Sequence, residues 1–95
     1  MSEAGFKLKV VTPGEVFYEG EVVSVTAPGT LGYLGILKNH APLVTTIDKG
    51  NLTFRDPAGT TKSFKIESGF LEVLKNRVLV LTDSIRNSAE KSLGL

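Results

Sequence analysis

Cysteine is absent from the 95 residues, and its absence removes disulfide staples, thiol redox chemistry and thiolate-ligated zinc. Tryptophan is absent as well, and histidine occurs once, at His40. One histidine without clustered carboxylates supplies too few ligands for a specific transition-metal site. With no GxSxG elbow and no distinctive acidic partner, it does not assemble a Ser/His/Asp triad either. Long apolar runs are missing: VLVL at 78–81 is typical, far below the roughly 18 residues of a membrane-spanning helix. Charge of one sign is also scarce. The net charge is +1, with four Lys/Arg against five Asp/Glu in residues 1–50 and seven against five in residues 51–95. Nucleic-acid binding calls for clustered cations or an aromatic stacking platform. The seven aromatics here lie mostly at strand-like positions, so no nucleic-acid partner is expected. No GxxxxGK[ST] phosphate loop occurs, and the start MSEAGFKLKVV has neither the composition of a transit sequence nor that of a signal peptide.

What the chain does contain is alternation of period two, the signature of half-buried strands. Phe6, Leu8 and Val10 oppose Lys7 and Lys9, and Val23, Val25 and Ala27 share a face in VVSVTA. Leu52 pairs with Phe54 in NLTFR, and Phe64 with Ile66 in KSFKIE. Turn residues punctuate these runs at Pro13-Gly14, Pro28-Gly29, Lys49-Gly50-Asn51 and Asp56-Pro57-Ala58-Gly59. The last of these predicts a hairpin between 51–55 and 60–67. GFLEVLKNRVLVLTD predicts another, turning at Lys75-Asn76, where asparagine suits left-handed φ although the usual glycine is missing. Val78 to Leu81 is apolar on both faces, so a second layer or a partner chain must cover it. About eight to ten short strands with no helical periodicity before Asp83 predict an all-β protein, an antiparallel β-sandwich or barrel. After Thr82 the composition changes, and Asp83 or Ser84 is placed to cap a short helical tail carrying Ala89, Glu90 and Lys91.

The densest gathering of special residues is APGTLGYLGILKNHAPL at 27–43, with three of the ten glycines, two of the four prolines and His40. Gly29, Gly32 and Gly35 fall every third residue, but a dinucleotide fingerprint needs GxGxxG between a strand and a helix. No helix begins at Leu37-Lys38-Asn39-His40-Ala41-Pro42. Glu15, Glu19 and Glu21 read as solvated strand and turn residues rather than an acid/base pair. No catalytic residue, cofactor or metal site is expected. The profile is that of a binding or coupling module with an ordered loop as its reading surface.

Three ordered blocks resemble the ε subunit family of bacterial and chloroplast F-type ATP synthases. They are LKVVTPGEVFYEGEVVSVTAPG, GYLGILKNHAPLVTTIDKGNL and SGFLEVLKNRVLVLTD. Lys38 departs from the proline often found at its position, and Ser68 from a second glycine. The family usually continues into a long helical hairpin that regulates ATP hydrolysis, and here only Ser84 to Leu95 follows. The resemblance implies an ε-type β-sandwich over residues 1–83 and a short C-terminal tail over 84–95. It implies a non-catalytic rotor subunit of the central stalk, linking γ to the polar loops of the membrane c-ring and coupling ion flow to ATP synthesis. The α/β subunits would be indirect partners and carry the nucleotide chemistry. Contact with the membrane would come only through the complex, at the cytoplasmic face of a bacterial plasma membrane. Carried over position by position, the γ interface takes in Thr12, His40, Ala41 and Pro42, and the c-ring interface Thr30, Leu31, Gly32 and Tyr33. The alternative is a free-standing sandwich that binds another protein.

Overall fold

Alternating burial is realised strand by strand in the computed structural model, which describes residues 5–87. The strands are β1 (Phe6–Thr12), β2 (Glu15–Val22), β3 (Ser24–Gly29), β4 (Gly32–Ile36), β5 (Leu43–Ile47), β6 (Gly50–Arg55), β7 (Thr61–Ile66), β8 (Gly69–Leu74), β9 (Arg77–Thr82) and β10 (Ile85–Asn87). In β1 Phe6, Leu8, Val10 and Thr12 point inward while Lys7 and Lys9 stay in water. In β8 Leu71 and Val73 are buried, and Phe70, Glu72 and Leu74 face out.

The strands form one continuous curled sheet whose two halves fold over each other as a sandwich. The first half runs β10-β7-β6-β3-β4 and the second β5-β8-β9-β1-β2. A single backbone pair, Gly29 with Ile47, joins them. Pairing is antiparallel except that β1 runs parallel to β9. A parallel pair needs a long crossover rather than a tight turn, and the intervening seven strands provide it.

Between the halves lies a dry core that includes Leu8, Val10, Val25, Ile36, Leu52 and Phe54. Truncating one of its large side chains to alanine costs about 2–5 kcal/mol. One open side of the sandwich is closed by aromatics. Phe17 of β2 meets Phe64 of β7 edge-on with centroids 5.1 Å apart, and Tyr18 lies 4.6 Å from Phe54. The Lys62 ammonium sits 5.7 Å from the centroid of the Tyr18 ring, within range of a cation–π contact. Burial in this seam, and secondarily the Asp56 carboxylate, raises the Tyr18 hydroxyl above the ordinary phenol value.

Both expected hairpins form. Asp56 organises the β6–β7 turn by accepting from the Ala58 and Thr60 amides at 3.0 and 2.9 Å. The β8–β9 turn falls at Lys75 and Asn76, with φ of 50° and 61°, the left-handed pair that a two-residue hairpin requires. Gly69, opposite Thr82 in the β8–β9 ladder, cannot be larger, because a Cβ there would collide with the Leu81 carbonyl oxygen.

Two sequence readings change. The segment after Asp83 does not begin as a capped helix: Ile85–Asn87 pairs with Ile66–Phe64 as an edge strand. Ile85 packs against the core, which outweighs the weak helix signal of a segment this short. The proposed helical residues Ala89, Glu90 and Lys91 lie outside the described residues. The strand Val78–Leu81 is central in its sheet yet covered on one face only: Val78 and Val80 are buried, whereas Leu81 is exposed.

Candidate docking surfaces

The residues expected at the γ interface divide between the two ends of the second half-sheet. Thr12 closes β1 one residue beyond Val11, the β1 partner of Leu81 in β9, and is buried. His40, Ala41 and Pro42 lie at the opposite end, on the loop that leads from β4 into β5. β1 is seven residues long, so about 20 Å of strand separates the two groups. They are not one contiguous cluster; they bracket a sheet face.

That loop is held by a clasp of asparagines. Asn39, itself left-handed at φ 67°, donates its amide to Asn76 Oδ1 at 2.7 Å. Asn76 Nδ2 returns a bond to Asn39 Oδ1 at 3.2 Å, and the Asn76 carbonyl accepts from the Lys7 amide at 3.0 Å. The β4–β5 loop, the β8–β9 turn and the start of β1 therefore meet on one residue. His40 Nδ1 lies 2.7 Å from its neighbour's carbonyl, Ala41 O. A carbonyl only accepts, so the proton belongs on Nδ1 and the other ring nitrogen is left to accept in the neutral form.

The face between these ends has a composition that the inward core pattern does not reveal. Strand register aligns Thr46, Phe70, Leu81, Val11 and Val16 in one row across all five strands of the half-sheet. Four of the five are apolar, with Phe70 50% exposed and Leu81 39%. The next row reads Val44, Glu72, Leu79, Lys9 and Glu19, and the third Leu74, Arg77, Lys7 and Glu21. Val44 is 67% exposed. Apolar side chains thus gather toward the Thr12 end and charges of both signs toward the Asn76 end. At the Thr12 end a groove of about 640 Å³ passes Ile47, Asp48, Phe70 and Leu81. A contiguous apolar row rimmed by charge marks an interaction surface. Val11, Val16, Val44, Phe70 and Leu81 are the functional candidates missed by reading only the inward faces. The available signal was that they occupy the outward, normally polar, positions of their strands.

The four residues expected at the ring do come together, as one turn at the same end of the sandwich as Thr12. Leu31 is fully exposed, and Gly32 takes φ 131°, which a side chain would strain. Thr30 Oγ1 lies 2.6 Å from Thr46 Oγ1, tying the turn to the apolar row on the other half-sheet. The Tyr33 hydroxyl accepts from the Asn51 amide at 3.0 Å and keeps its own proton free to donate outward. No cluster of three or more metal-ligating side chains occurs among the described residues. No helix among them is long and apolar enough to cross a membrane.

The sequence pattern of the family described as ATP synthase, Delta/Epsilon chain, beta-sandwich domain matches residues 5–88. The chain belongs to that family. It is 41% identical over 90 residues to an ATP synthase epsilon chain of Syntrophomonas wolfei, covering 95% of this chain and 66% of the relative. It is 42% identical over 84 residues to the epsilon chain of Chlorobium limicola, covering 88% and 96% respectively. The chain thus spans just under two thirds of the first relative's length and most of the second's. Among solved structures, a chain of the Euglena gracilis mitochondrial ATP synthase superposes with a TM-score of 0.85 at 22% identity, over 94% of this chain and 59% of that one. A chain from the Tetrahymena thermophila mitochondrial ATP synthase central stalk and c-ring gives 0.80 at 14% identity, over 95% and 72%. At such identities the superpositions establish the delta/epsilon sandwich as the fold.

Proposed function

We propose that the chain is a non-catalytic rotor subunit of an F-type ATP synthase, standing in the central stalk between γ and the c-ring and coupling ion translocation to ATP synthesis. The observation that carries this reading is the apolar row Phe70–Leu81–Val11–Val16, an outward sheet face bracketed by Thr12 at one end and His40–Pro42 at the other. γ docks along that face and covers the exposed side of Leu79 and Leu81. The Thr30–Tyr33 turn meets the polar loops of the ring. Nucleotide chemistry stays on α/β, and the complex holds the chain peripherally at the cytoplasmic face of the bacterial membrane. Membership of the delta/epsilon family supports this assignment, and so does the tie between the turn and the docking face at Thr30 and Thr46.

Calorimetric titration of purified γ with the chain and its Phe70→Glu variant tests the reading. Phe70 is half-exposed in the free chain, so the variant folds, while a carboxylate pressed into a dry contact costs several kcal/mol. An affinity loss of about a hundred-fold, equivalent to about 3 kcal/mol, is expected. Wild-type affinity in a normally folded Phe70→Glu variant removes γ from this face.

A further inference from the structure

The face that carries the apolar row is not electrically symmetric. Ile47, Gly69 and Thr82 are register partners across β5, β8 and β9, and Ile47 and Thr82 are buried. One residue further along, where side chains alternate to the other face, Asp48 and Asp83 are exposed, with Ser68 at the corresponding place before β8. Both aspartates line the groove of about 640 Å³ whose apolar wall includes Val11, Ile47, Phe70 and Leu81. No lysine, arginine or histidine lines it among the described residues. The fold uses the backbone of the two aspartates: the Asp48 amide donates to Pro28 O at 2.8 Å and the Asp83 amide to Ser68 O at 3.3 Å. Among the described residues neither carboxylate takes a hydrogen bond or an ion pair. At the opposite end of the face a second groove, of about 510 Å³, mixes Lys7, Lys9 and Arg77 with Glu19 and Glu72, so opposite charges there nearly cancel.

We propose, on the reading that γ covers this row, that the acidic groove receives a basic side chain of γ and so fixes the direction in which γ lies along the face. The row Phe70, Leu81, Val11 and Val16 is apolar from end to end, and burial of apolar area is non-directional. Charge supplies the missing direction. Two strand spacings, about 10 Å, separate the backbones of Asp48 and Asp83, so an ammonium or guanidinium group held over Ser68 stands between two carboxylates. A neutral or acidic part of γ placed there leaves both without a partner, which disfavours the reversed arrangement. The occupant is γ rather than the ring because the groove shares Val11, Thr46, Phe70 and Leu81 with the row, and whatever covers the row reaches the groove. Charges at the rim of an interface steer encounter and set register more than they add affinity. That role suits carboxylates that the backbone holds in place and the fold leaves unspent.

The test is stopped-flow association of γ with the full chain and with its Asp48→Asn and Asp83→Asn variants, at about 0.1 M and about 1 M salt, between which the Debye length falls from about 10 to about 3 Å. Neither side chain serves the fold, so both variants fold. At the lower salt each should associate about two- to five-fold more slowly, the range of a partly exposed ion pair, and at the higher salt the difference from wild type should vanish. Glu67→Gln, just beyond β7 and beside a pocket of the other half-sheet, carries the same charge change and should leave the rate unaltered. Equal slowing in Glu67→Gln reduces the effect to net charge and overturns the groove. Unchanged rates in the aspartate variants overturn it as well. Binding to the isolated c-ring that falls in these variants, with γ association unchanged, overturns γ as the occupant. Phe70→Glu separates this failure from failure of the face: loss of γ in Phe70→Glu with no effect of the aspartates removes the basic side chain and leaves the docking face, whereas γ binding that survives Phe70→Glu overturns the face and the groove with it.

Discussion

Asn76 is the residue at which local backbone chemistry and a docking loop are most directly linked, and replacing it separates the two. It holds φ 61°, a region where a Cβ costs an ordinary L-residue about 1–2 kcal/mol and which asparagine tolerates better than most. Its side chain also makes both bonds of the clasp with Asn39. Exposed hydrogen bonds of this kind contribute about 0.5–1 kcal/mol each, the lower part of the usual range. Asn76→Ala loses both contributions and should cost about 2–4 kcal/mol. Asn76→Gly loses the clasp and keeps the turn, so it should cost about 1–2 kcal/mol. At about 4–8 °C per kcal/mol for a domain of this size, thermal unfolding followed by circular dichroism resolves the two variants. An Asn39→Gly, Asn76→Gly double-mutant cycle should return a coupling from the one side chain–side chain bond, Asn76 Nδ2 to Asn39 Oδ1, because Asn39→Gly keeps the backbone amide that donates the other. The affinity of γ should fall with the clasp, because His40 to Pro42 lose their tether. Equal stability of the alanine and glycine variants would refute the backbone argument. A coupling of zero would refute the clasp.

Three further outcomes are expected. Gly69→Ala should unfold the domain or cost more than about 3 kcal/mol, since the new methyl meets the Leu81 backbone in a packed ladder; Gly59→Ala, left-handed at φ 96° but facing open space, should cost only about 1 kcal/mol, with urea midpoints comparing the two. Tyr18 has its folded-state pKa raised above the ordinary 10.0, so the unfolded chain releases this proton first and stability falls as pH rises past about 10; in melts taken from pH 8 to 11.5 Tyr18→Phe should lack that part of the alkaline loss, and unchanged pH dependence would place the phenol outside the seam. A cysteine at Leu31 should cross-link to one in the polar loop of the c subunit in this cysteine-free background, and failure under oxidising conditions with γ still bound removes the turn from the ring.

The fold was legible because its determinants are local. Alternation in FKLKV and the turn residues of Asp56 to Gly59 specify a strand and a hairpin without reference to distant partners. The turn at Lys75-Asn76 was legible for the same reason, even without glycine. Illegible were features that depend on register between strands remote in sequence. No periodicity within β1 says that Val11 will stand beside Leu81 and Val16, so the apolar outer row is invisible until the sheet is assembled. The parallel pairing of β1 with β9 is another such feature. Register also fixes the distance between Thr12 and the His40 loop, which family resemblance groups on one interface and the sheet separates by its length. β10 was missed for a different reason. Three residues are too few to display a period, and only the docking of Ile85 on the core selects strand over helix.

In the proposed rotor, the two partners load different halves of the sandwich, because the ring-facing turn belongs to the β3–β4 hairpin and the γ-facing row to the other half-sheet. Torque must therefore cross a junction where the sheets share one backbone pair, Gly29 with Ile47. Three features reinforce that junction. Thr30 binds Thr46, the first residue of the apolar row; the Asp48 amide donates to Pro28 O at 2.8 Å; and the chain itself passes from β5 to β6 through a two-residue connection. These links run from the turn to the face over a few residues, whereas the core behind them is packed to crystal-like density and resists shear rather than absorbing it. A short hydrogen-bonded path beside an incompressible core is a sound way to carry force between two surfaces of so small a domain. Weakening the junction through Thr30→Val and Thr46→Val should then lower coupling between ion flow and ATP synthesis, while binding to γ and to the ring, measured separately, stays intact.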